Sequence, residues 1–119
     1  MDSLTHYRNT IQTLLKHYYN LSQHQPASNT AKQGITEHLI LDAERDQYLW
    51  LRSGWDDQKR VQHIILYFRI EDSKVWVETD NTDLCVVDDL IAANIPQQDI
   101  VLGFHHPSKR PLTEFALGA

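Results

Sequence analysis

The chain has 119 residues, 41% of them hydrophobic, with 11 Lys and Arg against 16 Asp and Glu and a formal net charge of −5. That length suits a single domain, expected to run over 1–119 with a core of its own, and the acid surplus argues against a chain whose main task is to coat a phosphate backbone. The lone cysteine, Cys85, excludes an internal disulfide and a multi-cysteine zinc site. The apolar runs fall far short of the ~20 residues that cross a bilayer, and no basic region followed by an apolar segment opens the chain, so a cytoplasmic protein with no membrane contact is expected.

Leu4, Tyr7, Ile11, Leu14, Leu15, Tyr18 and Leu21 recur at spacings of three and four, which predicts an amphipathic helix over 3–21. Residues 22–34 lack periodicity, are rich in turn formers, and read as a loop. Period-two patterning then takes over. Ile35, Leu39 and Leu41; Leu49 and Leu51; Ile64, Leu66, Phe68 and Ile70; and Val75 and Val77 mark four strands joined by charged turns. Short connections predict an antiparallel meander, and the first helix has to cover its apolar face, which makes the fold α+β. Leu84, Val87, Leu90 and Ile91 at helical spacing predict a second helix over 83–94, ending before Pro96. Periodicity leaves Ile100 to Phe104 undecided between a short edge strand and irregular chain. The tail beyond it, restrained by Pro107 and Pro111, is expected to be ordered.

Several clusters hint at chemistry and then fall short of it. His105 and His106 are adjacent, and neighbouring side chains of extended backbone point opposite ways, so one ion rarely takes both. Asp42, Glu44 and Asp46 alternate as in a calcium loop, but Gln47 stands where glycine is needed and Ser53 where the bidentate Glu belongs. Glu71-Asp72-Ser73-Lys74 sits on a turn, without the upstream carboxylate of a nuclease site. The four glycines are scattered, so no phosphate loop forms. Cys85, beside Leu84 and Val86, reads as a small buried hydrophobe. No catalytic, metal or cofactor residues are assigned.

The far face of the sheet carries more information. If Leu49, Ile64, Leu66, Phe68 and Val75 face the first helix, then Tyr48, Trp50 and Arg52 share the opposite face with His63, Ile65, Tyr67, Arg69, Trp76 and Glu78. An aromatic and basic patch of that kind marks an interface. Together with His105, His106, Lys109 and Arg110 of the tail, Tyr48, Trp50, Arg52, Ile65, Tyr67, Arg69 and Trp76 form the candidate partner surface. The alternative is that the second helix and the C-terminal stretch cover this face within the monomer.

The order and spacing of several segments resemble the XisI family, the fdxN element excision controlling factor of cyanobacteria. These are Leu4-Thr5-His6-Tyr7-Arg8, Asp42-Ala43-Glu44-Arg45-Asp46-Gln47-Tyr48, Gly54-Trp55-Asp56 and Val75-Trp76-Val77. The strongest are Ile95-Pro96 with Asp99-Ile100-Val101-Leu102-Gly103-Phe104-His105, then Lys109-Arg110 and Thr113-Glu114-Phe115-Ala116. The resemblance covers the chain apart from the 22–34 loop. It implies a non-enzymatic role in controlled excision of a DNA element, alongside a companion, XisH, and a separate recombinase, and it supplies no catalytic or cofactor residues. Homo-oligomer formation, assembly with the companion, and indirect association with DNA through the recombinase complex are the partner expectations. A direct DNA-binding module and a metal-dependent nuclease are the competing classes.

Overall fold

The computed structural model describes residues 3–23, 34–112 and 115–116. Most of the expected 22–34 loop, and Thr113 and Glu114 of the tail, lie outside these residues. Helix α1 spans Ser3–Gln23 and buries Tyr7, Ile11, Leu15 and Tyr18, one stripe along its length. Strands β1 (Ile35–Asp42), β2 (Gln47–Asp56), β3 (Lys59–Glu71) and β4 (Lys74–Asp80) form the antiparallel meander. Helix α2 (Val86–Ala92) and a 3-10 turn at Gln97–Asp99 then return the chain to the sheet. Because that crossover reverses direction a second time, β5 (Ile100–Leu102) adds to β4 in parallel, giving a five-stranded sheet in the order β1-β2-β3-β4-β5. Ile100 to Leu102 of the undecided stretch are thus an edge strand, further tied down by a bridge from Val101 to Ala116, while Gly103 and Phe104 turn away from it.

Helix α2 starts later than its periodicity suggests. Cys85 adopts a left-handed backbone with φ 57°, which no helix continues through, and its side chain is exposed rather than buried. At the other end Asn94 turns left-handed with φ 71° and the Ile95 N–H closes on the Leu90 carbonyl at 3.1 Å.

The core lies between the helices and one face of the sheet. The residues from the sheet are Tyr48, Trp50, Leu66, Phe68, Ile70, Val75, Val77, Ile100 and Leu102, packed with α1 and with Val86 and Leu90 of α2. Register fixes this membership. Tyr48 sits opposite Phe68 and Trp50 opposite Leu66, so the aromatics of β2 join the helix-covered face. Leu49 and Leu51 therefore point the other way. The predicted phase of β2 is corrected accordingly, while Leu66, Phe68 and Val75 lie under the helices as expected.

The rest of the discrepancy traces to β3. Trp50 pairs with Leu66 but Leu51 pairs with Ile64, leaving Ile65 as an extra residue. Such a bulge breaks strict alternation. Ile64, expected in the core, is turned to the opposite face, and Ile65, expected on the exposed face, is only 6% accessible and belongs to the core cluster.

Glu37 of β1 is the other unexpected core residue. Its carboxylate is fully buried and accepts from Ser22 Oγ at 3.1 Å, Gln23 Nε2 at 3.0 Å, Trp50 Nε1 at 3.2 Å and Arg52 Nη2 at 2.7 Å. The end of α1, β1 and β2 are thereby tied to one anion. A salt bridge of this kind adds little over an apolar pair, but removing one partner strands a buried charge. Arg52→Ala should lower the unfolding free energy by about 3 kcal/mol, measured by urea denaturation. Trp50→Ala should cost about 3–5 kcal/mol through cavity formation.

Buried tyrosines supply a second set of ties. Tyr7 donates to Asp99, Tyr18 to Asp89, and Tyr48 to Asp46 Oδ1 at 2.9 Å, where Arg8 also holds the Asp46 carboxylate. Burial first, and then the neighbouring carboxylate, raises all three phenols, Tyr7 to about 12. The unfolded chain ionises near the ordinary value of 10.0. Stability from these groups is therefore full below pH about 10 and declines as pH rises from there through the folded-state values. The urea midpoint should fall between pH 10 and 11.5, and Tyr7→Phe should reduce that fall.

Candidate partner interface

The face of the sheet turned away from the helices is built from rows that cross several strands. Ile40 lies opposite Leu49, Leu49 opposite Tyr67, and Tyr67 opposite Thr79. His38 meets Leu51, and Leu51 meets Ile64. Gln47, Arg69, Trp76 and Val101 make a third row, and Trp55 opposite Arg60 ends the face at the β2–β3 turn. None of Ile40, Leu49, Leu51, Ile64 and Tyr67 is part of the packed core. Ile40 is 47% and Trp55 52% exposed. A groove of about 550 Å³ opens here, lined by Leu51, Gln62, His63, Ile64, Thr79 and Asn81. Contiguous apolar surface with a polar margin is the signature of a contact site rather than of ordinary solvent-facing sheet.

Polar side chains on this face are mostly engaged. The Tyr67 hydroxyl donates to Gln47 Oε1. Arg69 donates to Glu78 Oε2 at 3.0 Å and to Glu71 Oε1 at 2.8 Å, and its guanidinium lies over the Trp76 ring at 4.2 Å. The glutamates raise the Arg69 pKa against the opposing effect of burial. Glu78 occupies a second bulge, since Tyr67 pairs with Thr79 but Phe68 with Val77. The extra residue needs room, and Gly103 supplies it: a Cβ there would stand 2.0 Å from Glu78 Oε1.

The tail closes over one end of the face. Residues Pro107–Leu112 form a 3-10 turn that places the Arg110 guanidinium 5.3 Å from the centre of the Trp76 ring. Trp76 is consequently 6% exposed and Arg110 8%. The alternative of cover within the monomer therefore holds at β4 and β5, whereas at β1 to β3 the face is open among the described residues.

The candidate set accordingly divides. Tyr67 and Arg69 lie on the open face. Trp76 shares that face but is covered. Tyr48 and Trp50 are core residues, Arg52 lies beside Glu37 on the helix side, and Ile65 is the buried bulge, so these four do not lie on the open face. Arg110 is turned inward onto Trp76 instead of outward. Lys109 and His106 are exposed, with His106 Nδ1 accepting the Ser108 N–H at 3.1 Å as a cap of the turn. His105 is half-buried beside Phe104. The residues missed were Ile40, Leu49, Leu51, Ile64 and Trp55. Ile40 carried a usable signal, because it stands out of phase with Leu39 and Leu41 on a strand otherwise explained by one buried face.

Fold and open face define a small α+β protein whose sheet carries α1 and α2 on one face and, among the described residues, leaves the other open at β1 to β3. A family model described as "XisI protein" matches residues 1–117, and the chain belongs to the XisI family. It is similar to the crystal structure of the fdxN element excision controlling factor XisI from Anabaena variabilis ATCC 29413, with 56% identity over 98% of this chain and 100% of that one and a TM-score of 0.86. A XisI-like protein from the same organism matches at 31% identity over 98% and 99% of the two chains, with a TM-score of 0.85. No curated protein sequence matches. No helix among the described residues is long and apolar enough to cross a membrane.

Cation–π contact in a desolvated setting is worth about 2 kcal/mol. Arg110→Ala, made in a Trp55→Phe background, should expose Trp76 and raise acrylamide quenching of its fluorescence clearly above that of the background protein.

Proposed function

We propose that this protein is a non-enzymatic controlling factor for site-specific excision of a DNA element. It acts in the cytoplasm by assembling with a XisH-type companion and with itself, and it reaches DNA through the recombinase complex. Family membership supports the setting. The observation that carries the mode of action is the open sheet face, where Leu51 and Ile64 line the groove and Ile40, Leu49 and Tyr67 continue the same face, on a sheet whose other side is filled by helices. Apolar side chains left in water on a structured sheet favour burial against another protein surface, by roughly 25 cal/mol per Å² covered. The net charge of −5 disfavours direct wrapping of DNA.

Co-expression with the XisH-type companion should yield a complex whose mass in native mass spectrometry exceeds that of either chain. Leu51→Glu and Ile40→Glu should each weaken it by about tenfold or more, equivalent to about 1.4 kcal/mol, with the circular dichroism spectrum unchanged. Complexes of undiminished affinity from both variants would remove the open face from the mechanism.

A further inference from the structure

Strand β4 stops pairing with β3 where Leu66 meets Asp80, but β3 runs on in the other direction to Lys59. That outer part of β3 has β2 on one side and, among the described residues, no strand on the other. The carbonyls of Ile64 and Ile65 point to the vacant side, where they accept from Asn81 Nδ2 and from the Asn81 N–H, each at 2.9 Å. Backbone groups alternate between the two sides of a strand, so those of Gln62 and Arg60 face the same vacant edge as Ile64. The groove lies along it, with Gln62, His63 and Ile64 of β3 in its lining and Thr79 and Asn81 where β4 ends. There is thus an unpaired ladder with room for a strand beside it.

We propose that this edge, residues 59–64, takes up an extended acidic segment of the companion protein as an added strand, which presupposes the assembly role above. Main-chain pairing requires an extended polypeptide. The charge follows from the side chains: Lys59 and Arg60 are exposed at the edge, and no Asp or Glu occurs in β3 between Lys59 and Ile70. Asp80, at the far end of the groove, is taken up by the Thr82 N–H at 2.9 Å and the Thr82 hydroxyl at 2.6 Å. A second copy of the chain fits the edge poorly. With the Ile64 and Ile65 carbonyls held by Asn81, two β3 edges related by a two-fold axis are left with registers centred on Arg60 or on Val61. The first sets Arg60 opposite Arg60, and the second sets Lys59 opposite His63. Within β3 neither offers an anion, and like charges directly opposite destabilise a strand pair.

The test is amide hydrogen exchange on the full chain, alone and in complex with the companion, together with binding by the double variant Lys59→Glu/Arg60→Glu. Expected are amides of Arg60 and Gln62 slowed about tenfold or more in the complex, and binding weakened about tenfold or more by the double charge reversal. A complex that forms while these amides exchange as in the free protein, and that the double variant joins normally, overturns strand addition and leaves assembly standing. Absence of any complex overturns both. Protection that appears without the companion and grows with protein concentration assigns the edge to self-association and overturns the proposal.

Discussion

One buried anion holds the first helix to the edge of the sheet. Glu37 comes from the edge strand β1, yet its carboxylate is closed off from water and shared among the last turn of α1, the indole of Trp50 and the guanidinium of Arg52. Desolvating a carboxylate is expensive, so the site persists because each of these groups is in place at once. A charge facing inward on an edge strand also makes that strand a poor template for indiscriminate pairing. The helix therefore docks in a single position on the sheet, and that position decides which face is left open.

The tyrosine–aspartate ties extend this control along the helix. Tyr7 and Tyr18 reach Asp99 and Asp89, which lie on the crossover between β4 and β5. Helix α1 and the crossover are fixed to each other by polar groups at the rim of an apolar core, where a phenol offers both an apolar body and a hydrogen-bonding tip. His6 adds a bond from Nε2 to the Ala93 carbonyl at 2.8 Å. This anchoring holds the crossover from which β5 enters parallel to β4.

Much of the fold was legible in the sequence: the first helix from its three-and-four spacing, the four strands from alternation, the second helix, and an ordered tail. The open face was legible only in part, for specific reasons. Tyr48 and Trp50 are amphipathic aromatics whose polar tips find Asp46 and Glu37 inside the fold, so composition alone does not distinguish them from surface hot spots. Ile65 and Glu78 are single-residue bulges, and local alternation cannot announce where a partner strand skips a residue. Burial of Glu37 depends on side chains distant in sequence, which period-two patterning does not register. By contrast, Tyr67 and Arg69, beyond the Ile65 bulge, were placed correctly by alternation.

Strand β2 shows what a sheet covered on one side means for change. Its even positions Tyr48, Trp50 and Arg52 meet the core and the buried carboxylate, and its odd positions Leu49, Leu51 and Trp55 meet the open side. Two kinds of information are interleaved in the same short run of residues, one about persistence of the fold and one about the surface it presents. A lineage can therefore rewrite the odd letters and change that surface while the even letters hold the shape constant. Insertion or loss of one residue between Tyr48 and Trp55 would exchange the two texts at a stroke.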